Sequence, residues 1–175
     1  MKSCFYLGTQ IRFLYSKFGG KFMIDVHIAS NANIAKVTLH SVPDKPGIAA
    51  EIFGKLGAQG FNVELVITGI SYKGRTDVTF AVAENELDAI EKLLEEMKNE
   101  IGAEGISHTS SVALVSIAGH QLAQTPGIAG KMFNALSKAG INIDTISTSM
   151  SSVTCMVAKD KAKDAVEALR KEFQA

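Results

Sequence analysis

Pro46-Gly47-Ile48-Ala49 recurs as Pro126-Gly127-Ile128-Ala129, and Gly60-Phe61-Asn62-Val63-Glu64 recurs as Gly140-Ile141-Asn142-Ile143-Asp144. Both matches lie at one offset, 80 residues. Between Pro46 and Thr68 the two copies align without a gap, with 9 of 23 positions identical. A repeat this regular is one supersecondary unit used twice, so the fold is read once per copy, and any binding site can occur twice or between copies.

Working outward from Pro46, copy 1 opens with a strand, Ala35 to Val42, which alternates apolar and polar residues. The turn Pro43-Asp44-Lys45-Pro46-Gly47 starts a helix, with Asp44 expected as N-cap and Pro46 in the first turn. Ile48, Ile52, Phe53 and Leu56 form one apolar stripe, and Gly60 is the better C-terminal stop. A strand from about Asn62 to Ile70, a turn at Ser71–Arg75 and a strand from Asp77 to Val82 follow. Leu87, Ile90, Leu94, Met97 and Ile101 mark a second helix, about Asn85 to Ile101, and a short strand is expected over Ile106–Ser110. The order β-α-β-β-α-β is the ferredoxin-like split unit, an α+β fold with helices on one face of an antiparallel sheet.

Copy 2 follows the same course from Val112, with a first loop two residues longer and a hairpin five residues shorter, since Asp77-Val78-Thr79-Phe80 matches Ser152-Val153-Thr154-Cys155 at an offset of 75. Its second helix, Lys161 to Phe173, is followed by no fourth strand. A three-stranded sheet exposes an edge, and a spare candidate strand, Phe22 to Ile28, precedes copy 1. That segment is expected to complete the sheet of copy 2. The expected units are 35–110 for the first, and 22–34 with 111–175 for the second, preceded by a linker or remnant at 1–21.

Net charge is zero, from 18 basic and 18 acidic side chains, which gives no electrostatic footprint for nucleic acid or an anionic membrane. The Lys159–Lys163 stretch is interrupted by Asp160 and reads as a solvated helix start. No segment approaches the ~20 apolar residues of a membrane helix. Two cysteines, Cys4 and Cys155, without a CxxC, give no disulfide framework and point to a reducing cytoplasm. Residues 1–24 lack the apolar core and cleavage pattern of a signal peptide.

Motifs for catalysis are missing: no nucleophile elbow, HExxH, P-loop or GxGxxG. The four histidines, His27, His40, His108 and His120, have no metal-ligand spacing, and Cys155 reads as a core residue. No cofactor is implied. A small ferredoxin-like hydrolase of the acylphosphatase kind needs an Arg on a phosphate loop, and Arg12, Arg75 and Arg170 open no helix. Binding is better supported. In each copy a strand enters a Pro-Gly turn that opens a helix, whose first N–H groups lack intrahelical partners and suit a carboxylate. Gly47 and Gly127 let a ligand approach the backbone, and Asp44 is the nearest charge for an ammonium group. Simple helix initiation is the plainer reading of each Pro-Gly pair taken alone.

Taken together, Val37 to Ala50 (VTLHSVPDKPGIAA), Gly60–Glu64 and Thr76–Phe80 resemble the first ACT domain of aspartate kinase, and Gly140–Ser149 (GINIDTISTS) resembles its second. The resemblance covers about residues 30–175. More weakly, Ser3-Cys4-Phe5 and Gly8-Thr9 resemble the end of the kinase catalytic domain. It implies a tandem ACT regulatory β-subunit or C-terminal regulatory region, without the kinase domain, that binds lysine or threonine between ACT domains across a homodimer and acts on an aspartate kinase catalytic partner. A free-standing ACT sensor for another amino acid is the alternative. By motif position the implied effector site uses Asp44, Gly47, Ile48, Ala49, Asn62 and Thr68 in copy 1, and Gly127, Ile128, Ala129, Asn142, Ile143, Thr148 and Ser149 in copy 2. Thr68 stands where family members commonly have Gln, Ala129 where they have Thr, and Met150 where an acid is usual.

Overall fold

The computed structural model describes residues 26–174. Along them run β1 (His27–Pro43), α1 (Ile48–Ala58), β2 (Val63–Thr68), β3 (Arg75–Ala83), α2 (Leu87–Ile101), β4 (Gly105–Ala118), α3 (Ile128–Lys138), β5 (Ile143–Thr148), β6 (Ser152–Ala158) and α4 (Ala162–Phe173). The strands form one antiparallel sheet in the order β2-β3-β1-β4-β6-β5. This order is unchanged when each copy 1 element is exchanged for its copy 2 counterpart. A pseudo-twofold axis therefore passes between β1 and β4, perpendicular to the sheet.

The expected α+β architecture is present, with one correction to its strands. The strands expected at 22–28 and 35–42 run together as β1, residues 22–25 lying outside the described range, and those expected at 106–110 and 112–117 run together as β4. The polar stretches between them, Ser30–Asn33 and Thr109–Ser111, are bulges. Register shifts fall between Asn31 and Ile34 on β1, and between the Ile34 and Lys36 pairs, where β4 passes from Val112 to Thr109. In each bulge a side-chain oxygen two residues back accepts the loose N–H: Asn31 Oδ1 from Asn33 at 3.0 Å and Thr109 Oγ1 from Ser111 at 3.2 Å. The first half of β1, His27 to Asn31, pairs with Ala118 to Leu114 of copy 2, while its second half pairs with β3 of copy 1.

Two helix details also differ from expectation. Asp44 does not cap α1, and Pro46 precedes rather than begins it. The N-cap is Gly47, in the left-handed region with no side-chain cap. The other turns follow their residues. Lys73 and Gly74 take φ of 52° and 75° in a two-residue hairpin closed by reciprocal bonds between Tyr72 and Arg75.

Ile34 pairs with Val112, so both face one side of the sheet. Their neighbours Ala35 and Ala113 face the other and enter the two helix-covered cores. All four helices thus cover one face. The first core joins Val37, Leu39, Phe80, Ile52, Leu56, Ile90 and Leu94, with Phe53 edge-on to Phe80 at 5.5 Å. The second joins Val115, Ile117, Cys155, Met132, Leu136 and Leu169. Burying each such Leu or Ile contributes about 1.5–3 kcal/mol. On the opposite face Ile34, Ala81, Val112, Leu114 and Met156 form a third buried cluster astride the axis.

Polar contacts also cross between units. Asn31 donates to Glu64 at 2.9 Å and Lys36 to Asp144 at 2.9 Å, the two acids being repeat counterparts. Glu84 and Lys159, equivalent by the offset of 75, meet at 2.6 Å. Burial tends to raise the Asp144 carboxyl, but the Lys36 and Thr145 hydrogen bonds and the Lys36 charge outweigh it and hold the group below its ordinary 3.8.

Two outcomes follow from this interlock. Ile34→Ala, at a fully buried site on the axis, should cost about 2–5 kcal/mol and lower both units in one shared transition. Two separate transitions in denaturant would contradict the shared sheet. Since Asp144 is depressed, its contribution is present above pH 3.8 and fades as pH falls through the lowered value. Asp144→Asn should lose less stability than the parent between pH 5 and pH 3, and equal losses would remove the ion pair from the account.

Candidate functional site

Each unit opens its first helix on a glycine that no other residue replaces without strain. Gly47 has φ 94° and Gly127 φ 83°. The chain arrives from a central strand, reverses over the Pro-Gly pair and leaves as a helix with no side-chain cap. Among the described residues, the N–H groups of Gly47, Ala49 and Ala50 find no protein acceptor, nor do those of Gly127, Ile128, Ala129 and Gly130. N–H groups without a protein acceptor at the positive end of an eleven-residue helix are the kind of donors that suit a small anion. Ile48 and Ile128 are buried and pin each helix start to its core, whereas Ala49 is exposed and Ala129 half-buried.

The other expected residues divide between the two ends of each unit. Asp44 and Thr68 lie at the same end as Gly47: Asp44 donates its N–H to Gly74 O at 2.8 Å, and Thr68 ends β2 opposite Val78, close to where β1 ends. Both are exposed. Asn62 sits just before β2, six residues and about 20 Å from Thr68 along an extended strand. In unit 2, Thr148 and Ser149 lie at the Gly127 end, while Asn142 and Ile143 begin β5 at the other. Asn142 is at the same end of the sheet as Gly47, but the β2 and β5 edges are five strand spacings apart, about 24 Å. One chain therefore does not gather Gly47, Thr68 and Asn142, nor Gly127, Thr148 and Asn62.

Sequence reading missed a polar network beside the first helix start. His40 Nδ1 meets Asp77 Oδ2 at 3.2 Å, and His40 Nε2 meets Ser107 Oγ at 2.7 Å. Asp77 Oδ1 accepts the Ser41 N–H at 2.8 Å, and this bond leads the causes that hold its carboxyl below 3.8. Arg75 Nε donates to Ser41 Oγ at 3.0 Å. These residues come from three strands and are up to 67 positions apart, so no local pattern marks them. The network has the atoms of a hydrolytic triad, yet it lies on an exposed strand surface whose backbone N–H groups serve the sheet ladder.

His108 pairs with Glu91 at 3.2 Å. Cys155 is fully buried and its thiol is pushed up to about 11 by that burial. His27 and His120 line an open cleft of about 500 Å³ with Gln121, Ser151, Ala118 and Gly119. Among the described residues no three His, Cys, Asp or Glu side chains gather as a metal site, and no helix is long and apolar enough to cross a membrane.

Residues 37–99 and 115–173 each match the ACT domain family. An aspartate kinase of Pseudomonas fluorescens is 38% identical over 147 residues, 84% of this chain and 36% of that protein. The chain thus spans about a third of the length of the curated relatives it matches. The ligand-free regulatory subunit of aspartate kinase from Thermus thermophilus overlays with a TM-score of 0.77 at 33% identity, covering 83% of this chain and 96% of that one. A structure of aspartokinase alpha and beta subunits gives 0.77 at 32% identity, covering 85% and 97%.

A methyl group at Gly47 or Gly127 would touch no atom within 4 Å, so only the left-handed backbone penalises it. Gly47→Ala and Gly127→Ala should each cost about 1–2 kcal/mol in urea denaturation. A neutral substitution would show that the helix start relaxes out of this conformation.

Proposed function

The chain belongs to the ACT-domain family, in the tandem arrangement of aspartate kinase regulatory regions, and on that premise we propose that it is a non-catalytic regulatory part that binds an end-product amino acid, lysine or threonine. Binding would favour one global state of a cytoplasmic aspartate kinase catalytic partner, which is a coupling free energy between two sites. The division into units 35–110 and 22–34 with 111–175, preceded by a lead-in at 1–21, is part of the same proposal.

What supports this reading is that, among the described residues, β2 and β5 are the edge strands of the sheet. Among the described residues β2 and β5 each have one paired side, and Val66 and Ile146, at repeat-equivalent positions on them, are 45% and 47% exposed. An unpaired, partly apolar edge favours a partner strand. If β2 of one chain lies antiparallel beside β5 of a second copy, the start of each strand meets the end of the other. Asn142 of the second copy then stands beside Thr68, and Asn62 beside the second copy's Thr148, at the ends of the sheet where Gly47 and Gly127 open their helices. Each junction combines helix N–H groups for a carboxylate with an asparagine amide that both donates and accepts. Asp44 adds a negative charge at one junction only. Gln124 and Thr125 stand in its place at the other, so the two sites are related but unequal. Side-chain selection falls to Thr68, Ala129 and the Met150 turn, which depart from the family pattern.

Titration calorimetry with lysine, threonine and methionine should give heat with at least one of the first two, on a dimer by sedimentation. Asp44→Ala combined with Asn142→Ala should weaken that binding at least tenfold, about the effect of losing one charge-assisted hydrogen bond. Unchanged binding in the double variant would refute the site, and no heat with any of the three would refute the effector reading.

A further inference from the structure

Ser41 is a non-glycine residue with φ 54°, at the point where β1 breaks register against β3 between Leu39 and Val42. Such a conformation is disfavoured for an L-residue and persists only when its surroundings impose it. Here two charged side chains do so. The Asp77 carboxylate accepts the Ser41 N–H at 2.8 Å with one oxygen and contacts His40 at 3.2 Å with the other. His40 is itself steadied by Ser107 at 2.7 Å. Arg75 donates to Ser41 Oγ at 3.0 Å and to the Gly102 carbonyl, and pairs with Glu104 at 3.2 Å. Two residues beyond Ser41 the strand ends at Pro43, and the loop begins that carries Asp44 and Gly47.

Unit 2 is built otherwise. Its strand β4 reaches Ala118 against β6 without a register break. Through the shared pairs Leu39↔Val78 and Ile117↔Val153, His40 corresponds to Ala118, Asp77 to Ser152 and Arg75 to Met150. Met150 is 81% exposed and holds nothing. The charged clamp therefore belongs to one unit alone.

We propose that Asp77 is the positioning residue of the first half-site: by holding the left-handed bulge at Ser41, it sets the direction in which residues 44–49 present their N–H groups and the Asp44 carboxylate. This rests on the reading of that loop as half of an effector site. It deepens that reading by giving the two sites different mechanics, a loop held by a charged side chain in unit 1 and one held through the Gly119 N–H to the Ser151 carbonyl at 2.9 Å in unit 2. Arg75 supports the same bulge through the Ser41 hydroxyl, and His40 supports Asp77.

The test uses the full chain with Asp77→Ala and Asp77→Asn, the latter keeping a side-chain oxygen for the Ser41 N–H. Without ligand, Asp77→Ala should speed amide exchange at Ser41, Asp44 and Ile48 about tenfold, the scale of losing one hydrogen bond to a charged group. The Gly119 and Lys131 amides of unit 2 serve as internal controls and should not change. Asp77→Asn should restore most of the protection. With lysine or threonine added, amide shifts at Gly47 should report about tenfold weaker binding in Asp77→Ala, against unchanged binding reported at Gly127. Unaltered exchange over 41–48, or equal losses in both units, overturns the proposal. If the parent chain binds neither amino acid, the effector reading falls, while the exchange measurement still decides whether Asp77 holds the loop.

Discussion

The pairing of β1 with β4 is the constraint on which the molecule depends. It runs from His27↔Ala118 to His40↔Gly105, and each strand gives one half of its length to each unit. Neither unit has a four-stranded sheet without a segment whose sequence neighbours lie in the other. The bulges at Asn31–Ile34 and Thr109–Val112 make this possible. They let two strands of opposite ancestry keep apolar residues facing the helices on both sides of the axis, since a one-residue slip flips every side chain to the other face. Ile34, Val112 and Leu114 then fill the opposite face at the crossing, and the Asn31–Glu64 and Lys36–Asp144 contacts tie each repeat's acid to the shared strand.

Duplication supplies a symmetric frame, and divergence supplies the chemistry. The two helix starts share a left-handed glycine and an inward isoleucine. Around them the units part. Unit 1 fixes its loop with Asp77, Arg75 and His40. Unit 2 inserts a 3-10 turn at Leu122–Gln124, closes it through Thr125 Oγ1 to the Gln121 carbonyl at 2.7 Å, and leaves a cleft beside His27 and His120. Even the axis shows this. Equivalent positions approach each other there, and a strict repeat would place like charges together, whereas Glu84 and Lys159 are complementary.

Much of this was legible in the residues, for reasons that are themselves physical. The 80-residue offset, the helical stripes and the glycine stops report local constraints, and elements with local causes stand where expected. The continuity of β1 and β4 was not legible. Ser30-Asn31-Ala32-Asn33 and Thr109-Ser110-Ser111 have turn-like composition, and what makes them strand is a partner about 80 residues away. Asp44 does not cap its helix, because a Pro-Gly pair with a left-handed glycine starts the helix without a side chain. At the candidate site, sequence pattern named the residues but not their separation, since repeat alignment is silent about which end of a strand a residue occupies. In the sequence Asp77 is one polar position in an alternating strand, because its meaning lies in a backbone N–H on another strand.

The shared strands also set an order of events. As the polypeptide is synthesised, the second half of β1 finds β3 within about fifty residues, whereas His27 waits for Ala118, 91 residues later. Contacts of such separation carry the largest loop-closure cost and slow folding most. Throughout that interval the segment ahead of Ile34 is a nascent arm with unpaired backbone groups, open to association with other chains. Docking of this arm must wait for Leu114–Ala118 of β4, and it supplies the second unit with the first residues of the sheet to have left the ribosome.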